Sequence, residues 1–117
     1  MRVISQYIVT ADNAGPKAKK DIEKVLNEKY NAKICTYKIK ESKHNAISKY
    51  LFMLLNFKKN DLAIIQLPFT GKINMLNKIQ KKIGIIHDSD GMRTSNCDLL
   101  KKEVEVYNTF DALIVHN

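Results

Sequence analysis

Five short runs of apolar residues alternate along the chain with four segments whose apolar residues recur at helical spacing. The run Ile83–Ile86 is too short for a helix and is rich in β-branched residues, which is typical of a strand buried on both faces in a parallel sheet. The five runs predict strands at these positions: Val3–Val9, Lys33–Ile39, Asp61–Leu67, Ile83–Ile86 and Ala112–Val115.

The four intervening segments predict amphipathic helices. The first opens at Pro16, because proline loses nothing at a first helical position where its missing N–H would be unpaired anyway. The fourth opens at Ser95–Asp98, which has the form of a capping box. The third follows Gly71, with apolar residues at helical spacing: Ile73, Leu76 and Ile79. The second has a broad apolar face, which we expect to pack on the sheet: Ile47, Tyr50, Leu51, Leu54 and Leu55.

The alternation of strands and helices with short connections predicts an α/β fold in one domain, residues 1–117. Few topologies remain, because crossover connections between parallel strands are right-handed. We expect a Rossmann-like (flavodoxin-like) three-layer sandwich, in which helices cover both faces of a five-stranded parallel sheet with strand order 2-1-3-4-5.

The chain is strongly basic, with a formal net charge of +8. Such a charge suggests an acidic partner, but nearly all of it comes from lysines interspersed with acids, and the only arginines are Arg2 and Arg93. Because base readout and bidentate phosphate recognition favour arginine, we expect a solvated surface and no nucleic-acid partner. No apolar run has membrane-spanning length and no secretory signal is present, so the expected location is the cytoplasm.

Polar residues follow the fourth predicted strand directly, as His87, Asp88, Ser89 and Asp90. Ligands of open parallel sheets bind beyond the carboxyl ends of the strands, so this edge is a candidate site. The alternative is that Asp88 and Asp90 only cap a turn and the next helix. The sequence has no G-x-G-x-x-G and no Walker A motif, and its two cysteines lack metal-ligand spacing. We therefore predict neither a metal nor a cofactor.

Four stretches occur together in an order and at a spacing that resemble one family: Asn13–Asp21, Asp61–Pro68, Ile85–Arg93 and Phe110–Asn117. They resemble the amino-terminal domain of bacterial glycosyltransferases with the two-domain GT-B fold, in the galactofuranosyltransferase and glucosyltransferase-3-like group. Members of this family continue into a second Rossmann-like domain, which supplies the nucleotide-sugar site. The resemblance implies that this chain is the acceptor-side domain and that the donor-binding domain is absent from it.

The resemblance also implies a reaction, the transfer of a hexosyl group from a nucleotide sugar to a hydroxyl of a sugar, lipid-linked or protein acceptor. The strand edge would face the cleft between the two domains, with Asp88 or His87 as the base, and the chain would be inactive alone. Gly15 would let the backbone approach a ligand, and Lys17 would reach a phosphate. We expect these residues to bind substrate: Asn13, Gly15, Lys17, Gln66, Thr70, Asp90 and Arg93.

Two other hypotheses stay open. A stand-alone flavodoxin-like binding or regulatory module without catalysis would use the same strand edge, with a flavin or nucleotide phosphate near Thr10–Gly15. Peripheral membrane contact is suggested by bulky residues on a lysine-rich helix, including Tyr50, Phe52 and Phe57, because a basic amphipathic helix can lie on an anionic surface. The alternative for these bulky residues is packing on the sheet.

Overall fold

A computed structural model of the chain describes residues 1–8, 14–39, 46–67, 69, 76–87, 92 and 94–115. Most of the helix predicted after Gly71 falls outside these ranges; of its residues, Leu76 is helical and Asn77 and Lys78 form a turn. The described residues form five strands and three helices, in this order: β1 (Arg2–Ile8), α1 (Ala14–Tyr30), β2 (Lys33–Ile39), α2 (Ala46–Asn56), β3 (Leu62–Leu67), β4 (Lys81–Ile86), α3 (Cys97–Tyr107) and β5 (Ala112–Val115).

All neighbouring strands of the sheet pair in parallel, in the order β2-β1-β3-β4-β5. The predicted α/β fold and strand order are therefore confirmed. Because β1 lies between β2 and β3, the direction in which the chain adds strands reverses beside β1. Open α/β sheets bind ligands in the crevice at such a switch point, beyond the carboxyl ends of the strands.

Side chains alternate between the two faces of the sheet, and each face has its own apolar core. The larger cluster joins the sheet to α2 and α3, and its members include Ile4, Ile65, Met53 and Val106. The smaller cluster joins the sheet to α1, and its members include Val3, Ile64, Ile22 and Leu26. We call the two sides of the sheet the α2 face and the α1 face. Helices on both faces leave the carboxyl edge of the strands as the place for a site.

β4 packs closely against its surroundings at Gly84. A Cβ atom at this position would lie 2.8 Å from Cδ2 of Leu113 and 3.1 Å from Cδ1 of Leu67, shorter than ordinary van der Waals contact. Glycine therefore allows β5 and the end of β3 to approach β4 closely. This packing fixes the strand whose carboxyl end leads directly into His87.

The face of α2 that packs on the sheet is not the face that its apolar spacing predicts. Phe52 and Met53 pack into the core on the α2 face, and the face expected there is exposed instead: Ile47, Tyr50, Leu51, Leu54 and Leu55. Aromatic packing explains the choice, because the Phe52 ring centroid lies 5.5 Å from that of Tyr37 and 6.3 Å from that of Phe69. The prediction that the broad apolar face packs on the sheet is wrong.

The ends of two helices differ slightly from the predicted ones. α1 begins at Ala14, so Pro16 lies inside the first turn, where its missing N–H still costs no helical hydrogen bond. An N-cap at Ser95 would start α3 at Asn96, but the helix starts one residue later, at Cys97. Its N-cap is Asn96, whose side chain accepts a hydrogen bond from Leu99 N at 3.1 Å, while Ser95 has a φ of 54°.

Candidate functional site

Three polar side chains from adjacent strands form a row on the α1 face, at the carboxyl ends of β3 and β4 and at the middle of β1. The row contains Ser5, Gln66 and His87, and the first two are fully buried. Gln66 lies opposite Ile85, and His87 follows two residues later on the same face, because side chains in a strand alternate. The row therefore crosses the sheet at the edge where ligands of such folds bind.

The orientation of the Gln66 amide is fixed by the Lys19 carbonyl of α1. Gln66 Nε2 donates to Lys19 O at 3.0 Å and to Ser5 Oγ at 2.8 Å. A carbonyl oxygen can only accept, so the amide nitrogen must face it. Gln66 Oε1 then lies 2.7 Å from Nε2 of His87. Since Oε1 can only accept as well, His87 carries a proton on Nε2.

The lone pair of a neutral His87 ring therefore resides on Nδ1, the nitrogen that Gln66 does not contact. The backbone of His87 is also held, because its N–H donates to Leu67 O at 3.2 Å. The imidazole as a whole is half-buried, but Nδ1 itself is shielded from solvent. Proton transfer to this nitrogen therefore requires a rearrangement that exposes it to the acceptor.

Two lysines converge on Gln6, near the carboxyl end of β1, from helices on opposite faces of the sheet. Lys19 Nζ donates to the backbone oxygen of Gln6 at 2.7 Å, and Lys49 Nζ donates to its Oε1 at 2.6 Å. Lys49 Nζ also lies 5.0 Å from the ring centroid of Phe69. Burial lowers the pKa of Lys49 to about 8. These contacts place positive charge beside the β1–β3 switch point.

A second polar cluster lies between α1, β1 and β2. Thr36 Oγ1 donates to Glu23 Oε1 at 3.0 Å, and both residues hydrogen-bond the Tyr7 side chain. Burial raises the pKa of Tyr7, and the Glu23 charge raises it further, while the hydrogen bond with Thr36 opposes them. Tyr7 is therefore neutral near pH 7, and the cluster fixes α1 over β1 and β2.

Four of the nine predicted site residues lie within the described residues. Gln66 and His87 are in direct contact. Gly15 and Lys17 lie in the first turn of α1, and Lys17 is exposed there. The other five lie outside the described residues: Asn13, Thr70, Asp88, Asp90 and Arg93. Their predicted roles stay predictions.

The sequence prediction missed Lys19, Lys49 and Glu23. The available signal was helical spacing, because Lys19 and Glu23 share a stripe of α1 with Ile22 and Leu26. This spacing identifies Lys19 and Glu23 only after the face of α1 that packs on the sheet is known.

The described part of the chain contains no group of three or more His, Cys, Asp or Glu residues able to hold a metal ion. Among those residues both cysteines are free thiols, with Cys35 buried and Cys97 exposed. None of the helices formed by these residues has the length and apolar character required to cross a bilayer.

The parallel sheet, its switch point and the polar row at its carboxyl edge define a Rossmann-like α/β domain with a candidate ligand site. A model of the family described as glucosyltransferase 3-like, N-terminal domain, matches residues 1–117. The chain belongs to this family, and the match indicates a glycosyltransferase-related role. Neither a curated protein nor a solved structure matches the chain.

Proposed function

We propose that this chain is the acceptor-side domain of a glycosyltransferase that transfers a hexosyl group from a nucleotide sugar to a hydroxyl. Family membership supports the reaction class. The observation that carries the assignment of the site is the contact between Gln66 and His87 at the carboxyl edge of the sheet. It leaves Nδ1 as the ring nitrogen of His87 that accepts the hydroxyl proton, and because Nδ1 is buried, binding of the acceptor must first expose it.

In the proposed reaction His87 is the base. The acceptor oxygen bonds to the anomeric carbon of the donor while the bond from that carbon to the diphosphate breaks, and the hydroxyl proton moves to His87 Nδ1. Gln66 Oε1 keeps its hydrogen bond with Nε2–H before and after this transfer, so it holds the ring in one orientation. Asp88, the next residue, is the second candidate for the same role.

The start of α1 is the proposed second contact with the acceptor. Gly15 lies there without a side chain, and the first N–H groups of a helix favour an anion or hydroxyl oxygens. The exposed Lys17 adds a positive charge in the same turn. We assign the nucleotide sugar to another domain, and we propose that this chain is inactive alone, because transfer requires donor and acceptor to be held together.

The test is the rate of hexosyl transfer by a protein that contains this domain together with its donor-binding domain. His87→Ala or Asp88→Asn, whichever removes the base, is expected to lower kcat by about 10²–10⁴-fold. Glu105→Gln, an exposed position on α3, is the control and should leave kcat unchanged. If both variants keep near-normal turnover, the assignment of the base to this edge is wrong.

A further inference from the structure

α2 has two faces, and the one that points away from the sheet is almost entirely apolar. The inward face carries Lys49, Phe52, Met53 and Asn56. The opposite face, which we call the outer α2 stripe, consists of Ile47, Tyr50, Leu51, Leu54 and Leu55. Ile47 is 74% exposed and Leu55 is 70% exposed. An ordinary surface helix has polar residues on this side, so the outer α2 stripe requires an explanation.

The stripe is contiguous. Its residues follow the spacing i, i+3, i+4, i+7 and i+8, which places them side by side on one face of the helix. Scattered apolar residues on a surface are normal, but a contiguous patch marks a contact with another protein, a ligand or a membrane. No helix or strand within the described residues covers it, since all five side chains are exposed.

Positive charge lies at the carboxyl end of the stripe. The segment from 46 to 60 contains no acidic residue, and Lys58 and Lys59 are exposed directly after the helix. An open cavity of about 360 Å³ lies beside this end, lined by Phe57, Lys59, Asn77, Lys78 and Gln80. The helix that carries the stripe is thus followed by two exposed lysines, one of which, Lys59, lines the cavity.

We propose that the outer α2 stripe rests on an anionic lipid bilayer. The apolar side chains enter the boundary between headgroups and acyl chains, as those of an interfacial amphipathic helix do. The neighbouring lysines contact lipid phosphate and carboxylate groups, and the cavity lined by Lys59 and Lys78 receives a headgroup. The inference concerns a surface away from the strand edge and does not depend on the proposed function.

A second copy of the chain fits this surface less well. An 11-residue helix is about 16 Å long, and the five side chains of the stripe fall far below the roughly 20–30 residues per side of a standard protein interface. The adjoining lysines would also bring like charges into a dimer. A bilayer requires no matching shape, and an anionic one attracts the lysines.

Vesicle co-sedimentation of the purified chain tests the proposal. We expect binding to vesicles with about one-third phosphatidylserine, at least about tenfold weaker binding to pure phosphatidylcholine, and loss of binding at high salt. The double variant Leu51→Gln and Leu55→Gln should bind at least about tenfold more weakly, because each buried methylene contributes to interfacial affinity. Both positions are exposed, so the fold should persist, which a thermal melt checks.

The matched control is Val104→Gln, which removes an exposed apolar side chain from α3 and should leave vesicle binding unchanged. Two results would overturn the proposal: absence of binding to anionic vesicles, or binding that ignores the double substitution on the stripe. A third overturning result can come from sedimentation velocity without lipid. If the chain forms a dimer and Leu51→Gln dissociates it, the stripe is the contact with a second copy.

Discussion

The Gln66 side-chain amide donates a hydrogen bond to the backbone oxygen of Lys19. This contact determines which ring nitrogen of His87, at the end of the neighbouring strand, carries the proton. If the amide were turned over, Oε1 would face the oxygen of Lys19, and two acceptors would oppose each other at hydrogen-bond distance. The same flip would leave Nε2 of the amide against the imidazole. Gln66 is fully buried, so no water compensates for the lost donor.

Gln66→Met retains the approximate volume of the side chain and removes all three hydrogen bonds. We expect the free energy of unfolding to fall by about 1–3 kcal/mol, because buried polar groups lose their partner. Urea unfolding measures this loss. In the wild-type chain, ¹⁵N spectra of the imidazole should show His87 protonated on Nε2 when neutral, and this preference should weaken in the variant.

Ser5→Ala is the matched control for the tautomer. It removes one acceptor of the Gln66 amide and leaves the contacts with Lys19 and His87 in place. The Nε2–H form should therefore persist in Ser5→Ala. A wild-type His87 protonated on Nδ1 would contradict the hydrogen-bond assignment.

Lys49 provides a pH-dependent prediction. Burial lowers its pKa from 10.5 to about 8, so the folded state bears the cost of a poorly solvated ammonium group below pH 8. Between about 8 and 10.5 the unfolded state binds more protons, and stability therefore rises with pH. Lys49→Met lacks this contribution. The Tm of the wild type relative to that of Lys49→Met should increase from about pH 7 to about pH 9.5.

Thermal melts of both chains at the two pH values make the measurement. Other titrating groups, including the buried Lys82, are common to both chains and largely cancel in the difference. A Tm difference that stays constant or decreases with pH would show that Lys49 does not titrate as described.

The site residues differ in how far the sequence could predict them. Gln66 and His87 were predictable because they end apolar strands that must lie side by side in a parallel sheet. Lys19 and Lys49 were not, because surface lysines on a helix look alike until the inward face is known.

Among the helices, α2 shows why periodicity alone was insufficient. This helix has apolar residues on two opposite faces. Apolar spacing alone predicts that the larger face packs in the core. The aromatic contacts of Phe52 with Tyr37 and Phe69 select the other face. Those partners come from β2 and from the segment after β3, so only the tertiary fold brings them together.

The N-terminus of α3 allows a comparison between the predicted and the observed cap. Asn96→Ala should lower the free energy of unfolding by about 1 kcal/mol, because the N–H of Leu99 loses its acceptor. Asn96→Asp should retain most of the stability, since a carboxylate oxygen can accept the same bond. Chemical denaturation of each variant gives the values.

Ser95→Ala serves as the control at the position that the capping-box pattern favoured. It should change the stability far less than Asn96→Ala does. The reverse order of the two losses would place the cap at Ser95 and contradict the observed hydrogen bond.

For the whole molecule, the alternation of strands and helices predicts the α/β fold. Right-handed crossovers leave a few strand orders, and the one that we expected among them is observed. Gly84, with its close neighbours Leu67 and Leu113, shows how tightly the third, fourth and fifth strands then pack. Gln66 and His87 of the polar row lie at the carboxyl ends of β3 and β4. Our central claim is that this edge supplies the acceptor side of a cleft, while the donor pocket belongs to another domain.

Calorimetric titration of the isolated chain with uridine- and guanosine-diphosphate hexoses tests this claim most directly. We expect no measurable binding, because one wall of a cleft neither encloses a nucleotide sugar nor excludes water from it. A thermal melt of the same sample confirms that the chain is folded. Micromolar binding of a nucleotide sugar to the chain by itself would contradict both the acceptor-side assignment and the placing of the donor site in another domain.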